Sequence, residues 1–203
     1  MPKGFKGYEK HVITNSLIEQ GKVLFSKFGL QKTSINEITK NVGIAPGTFY
    51  KFYNSKEELY FEILEKEEEQ IKKQFLSIDI QKDNQPKQEI KKLLLQTIDI
   101  IETNPLIRQL YFENNMEALL RKLPPEKLVE HYNNDSAALF PLIEKWQKEG
   151  VLLEANPEII AAMLRSLFLL TLHKKEIGVE VYTETIELFI DLIVDGLIKE
   201  EGE

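Results

Sequence analysis

The feature that most constrains this chain is its helix punctuation. Apolar residues return every three or four positions between start and stop signals, and no run alternates as a strand would. Ile13, Leu17, Ile18, Gly21, Leu24, Phe25 and Phe28 share one helical face, and Gly29 follows as a C-terminal stop. Ser34-Ile35-Asn36-Glu37 reads as a capping box, in which Ser34 and Glu37 satisfy each other's free amides. It opens a short helix with Ile35, Ile38 and Val42 inward, and Gly43 ends it, because a turn of positive φ suits glycine. Pro46 suits the first position of the next helix. Ser55-Lys56-Glu57-Glu58 is a second capping box, starting a long helix through Leu59, Ile63 and Ile71 to about residue 76. Residues 81–86 read as a linker. Further helices are expected at roughly 86–102, 105–121 and 125–149, bounded by Asn104-Pro105 and Pro124-Pro125. Asn156-Pro157-Glu158 starts another that stops before Gly178, and a last one is expected over about 179–200. The fold class is therefore all-α, with about nine helices.

With 203 residues, 42% of them hydrophobic, the chain can bury a proper core. It has no cysteine, which excludes disulfides and thiolate metal sites. The start, Met-Pro-Lys-Gly-Phe-Lys, lacks the apolar stretch of a signal peptide. The most apolar segment, Ile159 to Leu172, is shorter than the ~20 residues of a membrane span, and Arg165 interrupts it. These features lead to the expectation of a cytoplasmic protein with no membrane partner. Charge is divided unevenly along the chain. Residues 1–56 hold nine lysines against three acids, a net of +6, which leaves 17 basic and 30 acidic residues, a net of −13, in 57–203. A basic head on an acidic body suits a phosphate-binding module joined to one that does not touch nucleic acid.

Catalytic signatures are missing. His11, His131 and His173 are scattered singly, and no glycine-rich phosphate loop or nucleophile motif occurs. Asp99 and Glu102 do not form the Glu-x-x-His pattern of di-metal bundles. The reading is of a non-enzyme with no cofactor and no metal.

Three short helices within the first ~55 residues, the second and third joined by a glycine turn, make a helix-turn-helix pattern. Within it stand Thr33-Ser34-Ile35-Asn36-Glu37-Ile38, Val42-Gly43-Ile44, Gly47-Thr48-Phe49-Tyr50 and Lys56-Glu57-Glu58-Leu59. In order and spacing this resembles the signature of the tetracycline-repressor (TetR/AcrR) family, over about residues 10–65. The resemblance implies a three-helix DNA-binding domain over 1–56 and a helical ligand-binding and dimerisation domain over 57–203. It implies a homodimer that binds double-stranded operator DNA, most simply as a repressor, and is released by a small-molecule effector.

The residues suit those roles. A recognition helix at about 45–52 would enter the major groove with its N-terminal residues toward the base edges. Ala45, Pro46 and Gly47 form that end, and Gly47 lets the backbone approach DNA closely. Thr48 can bond a base or a phosphate, or lay its methyl on thymine. The resemblance gives Tyr50 the family tyrosine's phosphate contact. Lys51 is a backbone contact, and Lys56, at the first turn of the next helix, pairs with its free amides as an anion site. Thr33 or Ser34 would do the same at the second helix. Two departures stand out. Ala45 replaces the usual capping serine or threonine, and the order Phe52-Tyr53 leaves either aromatic to pack inward. The rival reading is a helical ligand-binding or scaffold dimer whose helix-turn-helix serves only packing.

In the body, polar residues among apolar ones are the ligand-binding candidates: Gln96, Asp99, Asn115, Tyr132, Arg165 and His173, with Tyr111, Phe112 and Met116 as wall residues. Trp146 and Phe140 fill core. The segment from Ile159 to Leu172 is apolar nearly all round and must be covered on more than one side. Leu164, Leu167 and Phe168 from it, with Ile186, Phe189 and Ile193 from the last helix, are the dimer-interface candidates.

Overall fold

The computed structural model describes residues 7–77, 80, 85–112, 119, 121–127 and 139–199, the side chains of 75, 111 and 112 excepted. The helices are α1 (Gly7–Lys32), α2 (Ile35–Val42), α3 (Pro46–Phe49), α4 (Lys56–Leu76), α5 (Pro86–Thr103), α6 (Pro105–Phe112), α7 (Phe140–Lys148), α8 (Pro157–Thr171), α9 (Lys174–Ile177) and α10 (Tyr182–Leu197). Among the described residues the only pairing of extended backbone is a single antiparallel bridge between Leu152 and Ile198. Packing divides the chain into two units: Met1–Glu68 with Asn104–Leu128, and Glu69–Thr103 with Val129–Glu203.

In the first unit, α1 buries Leu17, Gly21, Leu24, Phe25 and Leu30. A methyl group on Gly21 would come within 2.9 Å of Ile63 and 3.1 Å of Leu59, so the glycine sets how closely α1 and α4 approach. The Phe25 and Tyr60 rings meet edge to face at 5.2 Å, an arrangement that suits their quadrupoles. Gly29 breaks the helix where a stop is expected. With φ 82° and ψ 164° it kinks the helix, which resumes to Lys32. After the kink Leu30 takes the buried position, while Phe28 is half exposed beneath the Lys27 ammonium, 5.1 Å from its ring centre.

Helix α6 packs in the same unit, burying Leu106, Ile107, Gln109 and Leu110. Asn104 caps it, accepting from the amides of Leu106 (2.9 Å) and Ile107 (3.2 Å). The Tyr60 hydroxyl donates to the Leu106 carbonyl at 2.6 Å, and the Gln109 amide donates to the Ser26 carbonyl at 3.4 Å. The helix expected over 105–121 is described as far as Phe112, since 113–118 lie outside the described residues.

The second unit is aliphatic. Ile90, Leu93, Leu94 and Ile98 of α5 meet Ile186, Ile190, Val194 and Leu197 of α10, and Ile160, Leu164 and Leu167 of α8 fill between them with Trp146 of α7. Two ion pairs, Lys87–Asp195 at 3.0 Å and Lys91–Asp191, edge the α5–α10 seam. The Tyr182 hydroxyl donates to Glu102 at 2.6 Å, and burial together with that carboxylate pushes the phenol above its usual pKa.

Asn156 caps α8 as expected, accepting from the Glu158 amide at 2.9 Å with Pro157 in the first turn. That helix ends at Thr171 instead of just before Gly178, and the short α9 follows it. The Thr171 hydroxyl donates to the Phe168 carbonyl at 2.7 Å, a local bond that competes with the helical ladder. The last helix spans 182–197, because Ile198 turns extended to bridge Leu152. Of the helix expected over 125–149, residues 125–127 and 140–148 are helical, and 128–138 lie outside the described residues. So do 81–84 of the expected linker.

Candidate nucleic-acid interface

The site begins with the cap of α2. Ser34 Oγ accepts from the Glu37 amide at 3.2 Å, and Glu37 Oε2 accepts from the Ser34 amide at 2.9 Å, closing the expected box. The Ser34 hydroxyl and amide hold the Glu37 carboxyl below its ordinary pKa. Gly43, at φ 79° and ψ 28°, ends α2 in the left-handed region. Ala45 precedes α3 with extended backbone and no side-chain cap, so Pro46 opens the helix. Only Pro46–Phe49 of the expected 45–52 is helical, and the chain then turns through Tyr50 to Phe52.

Ala45, Pro46 and Gly47 are all exposed, as are Ser34 and Lys51, while Thr48 is half-buried. Tyr50 is 60% exposed and leans edge-on against the buried Phe49 at 5.6 Å. A methyl group on Gly47 would meet nothing within 4 Å, so nothing in the protein itself requires glycine there. Tyr53, not Phe52, packs inward. It is 5% exposed, beside Phe49 at 5.8 Å, and burial followed by the nearby Glu62 raises its pKa.

Two expected contact residues face elsewhere. Thr33 is buried, and its hydroxyl donates to the Gly29 carbonyl at 2.8 Å. The Lys56 ammonium donates to three backbone carbonyls: Leu30 at 2.7 Å, Gln31 at 3.1 Å and Thr33 at 2.8 Å. The second capping box is also redistributed. Ser55 accepts from the Glu58 amide at 3.1 Å, but Glu58 reaches the Asn54 amide at 2.8 Å in place of Ser55's own. Burial alone would raise Glu58, yet the Asn54 amide and the Lys127 ammonium at 3.0 Å hold it below its ordinary pKa.

Gln96, Asp99, Arg165 and His173 are exposed. The side chains of Tyr111 and Phe112, like Asn115, Met116 and Tyr132, lie outside the described residues. Of the described candidates, none lines the apolar crevice in the second unit, whose walls include Ile90, Leu94, Trp146, Ile160 and Val194. Trp146 Nε1 is buried and meets no acceptor among the described residues.

Of the dimer candidates, Leu164, Leu167 and Ile186 belong to the protomer's own core. Phe168 and Ile193 pack partly against it, and Phe189 is exposed. Exposed apolar residues on these helices include Leu188 and Leu192 on α10, with Ile159, Met163 and Leu169 on α8, which sequence reasoning did not separate from the core. For Leu188 and Leu192, the four-residue spacing on the side of α10 away from Ile186, Ile190 and Val194 was the available signal. Among the described residues no helix is long and apolar enough to cross a membrane.

Residues 17–63 match the family model of the bacterial regulatory proteins, tetR family. No curated protein matches the chain in sequence. Among solved structures the chain is similar to a tetR-family transcriptional regulator from Pectobacterium atrosepticum, at TM-score 0.76 and 16% identity, covering 97% of this chain and 99% of that one. It is also similar to SmeT, the repressor of the Stenotrophomonas maltophilia multidrug efflux pump SmeDEF, at TM-score 0.62 and 19% identity, covering 93% and 91%. SmeT in complex with triclosan aligns at TM-score 0.60 and 17% identity, covering 93% of each chain. At these identities the structural likeness shows the fold.

Proposed function

From the match of residues 17–63 to the model of the tetR family of bacterial regulatory proteins, we propose that the protein is a DNA-binding repressor. In this reading residues 1–56 bind DNA and 57–203 bind an effector and dimerise. The observation that carries it is the exposed run Ala45-Pro46-Gly47 at the start of α3, with Tyr50 and Lys51 exposed just beyond it. An exposed glycine with ordinary backbone and open space around it gains nothing for folding, but it lets a groove wall come to van der Waals distance. Ser34, Tyr50 and Lys51 serve phosphates, while Thr48 reads a base edge. The net of +6 over residues 1–56 supplies the attraction, and the −13 beyond keeps the body off the duplex.

One recognition helix makes too few contacts for a long site, so two copies read a palindrome with half-sites about one helical turn or more apart. Leu188, Phe189 and Leu192, with Ile159 and Met163, supply apolar surface for that pairing. Leu192→Glu should therefore give a monomer in sedimentation that has lost DNA binding. The largely apolar interior of the body supports a largely hydrophobic effector held by one or two directional contacts. An effector releases DNA only by favouring a state that holds the two reading helices off the half-site spacing, and α4 is the lever. Selection of bound duplexes from a random pool tests the reading. A palindromic consensus is expected. Failure to enrich any duplex would return the chain to a scaffold or ligand-binding dimer.

A further inference from the structure

We propose that Lys56 is a positioning residue of the DNA-reading face, acting through the end of α1 and not by touching phosphate. The inference rests on the DNA-binding reading above. A helix leaves its last four carbonyls without internal partners. At the end of α1, Gly29 O accepts from the Thr33 amide and hydroxyl, at 3.2 and 2.8 Å. Leu30 O and Gln31 O accept from the Lys56 ammonium, which also bonds Thr33 O, the last carbonyl before the Ser34 cap of α2. An ammonium has three protons, and these three carbonyls take all of them.

The electrostatics agree with the geometry. As the first residue of α4, Lys56 lies at the positive end of that helix, where local rules favour an acid. What draws it is the negative end of α1, some 25 residues earlier in sequence. The bonds fix the end of α1 and the start of α2 against the first turn of α4, and α2 in turn packs on α3. The lysine therefore sets where Ser34 and the start of α3 are presented. A phosphate could take its ammonium only by stripping these carbonyls of their partner.

The test compares Lys56→Met and Lys56→Arg with wild type on the duplex that the wild-type protein enriches from a random pool. Amide exchange of the free proteins is measured alongside. Lys56→Met should speed exchange across 30–36 and weaken binding about tenfold or more, with the slope of log affinity against log salt unchanged. Lys56→Arg, which keeps a charged multi-proton donor, should restore much of both. A slope that falls by about 0.9, the signature of one lost phosphate contact, overturns the proposal whatever happens to stability. Should Lys56→Met fail to fold, the wild-type ammonium decides by NMR: a protected signal in the free protein, unmoved by duplex, supports the proposal, and a signal that shifts on binding refutes it. If the wild type enriches no duplex, the DNA-binding reading fails. The exchange arm, read without DNA, still tests the link from Lys56 to the 30–36 segment.

Discussion

Both units of this chain bury apolar side chains, but they differ in emphasis. In the first, polar side chains bond named backbone atoms: Lys56 and Thr33 at the end of α1, Ser34 and Glu37 at α2, and Tyr60 and Asn104 at α6. In the second, aliphatic side chains from α5, α8 and α10 close around Trp146 with a few polar anchors at the margin. Directional bonds specify orientation, whereas apolar burial specifies volume and tolerates repacking. A unit that must present a few side chains to a groove needs the first. A unit that must enclose or exchange an apolar molecule is better served by the second.

Removing Trp146 should break the second unit most severely. It is 2% exposed at the centre of the aliphatic cluster, and Trp146→Ala is expected to cost about 3–5 kcal/mol by denaturant unfolding followed by circular dichroism. A loss below about 1 kcal/mol would mean the cluster repacks freely. Next comes Tyr60→Phe, which deletes one buried hydroxyl and its bond to the Leu106 carbonyl. The same titration should show a loss of about 1–3 kcal/mol, and faster amide exchange in α6 should accompany it.

Ser34→Ala should cost about 1 kcal/mol, seen as faster amide exchange in α2. Acid sharpens the contrast between the units. The folded state holds Glu37 and Glu58 below the ordinary 4.5, so their contribution is present above that pH and is lost as pH falls through their lowered values. The sole tryptophan lies in the second unit. On acid titration, protection in α2 and at the start of α4 should therefore fall before Trp146 fluorescence changes. Simultaneous loss would erase the distinction. The smallest effect on folding is expected for Gly47→Ala, close to zero in thermal unfolding, since the added methyl meets open space. Affinity for the enriched duplex should nevertheless drop, and unchanged affinity would remove α3 from the interface.

What was legible in the sequence was local. Ser34 and Glu37 stand at capping distance, Gly43 where a left-handed residue is needed, and Asn156-Pro157-Glu158 where a helix must start. These signals act within four residues, so each could be read without knowing the rest of the chain. The choice between Phe52 and Tyr53, the kink that exposes Phe28, and the reach of Glu58 to Asn54 depended on what the next helix offers. Sequence spacing could not rank those options.

The all-helical class, the basic head and the motif over Gly47 to Tyr50 were thus legible in the sequence itself, because periodicity, caps and charge are short-range properties. Tertiary structure alone decided where Lys56 sends its ammonium, which leucines of α8 and α10 serve their own core, and that α6 packs in the same unit as α1. In each case the partner lies tens of residues away in sequence. Lys56 shows the reason most clearly. Its own helix disfavours its charge, and the field that holds it comes from the far end of another helix, which becomes a neighbour only once the chain has folded.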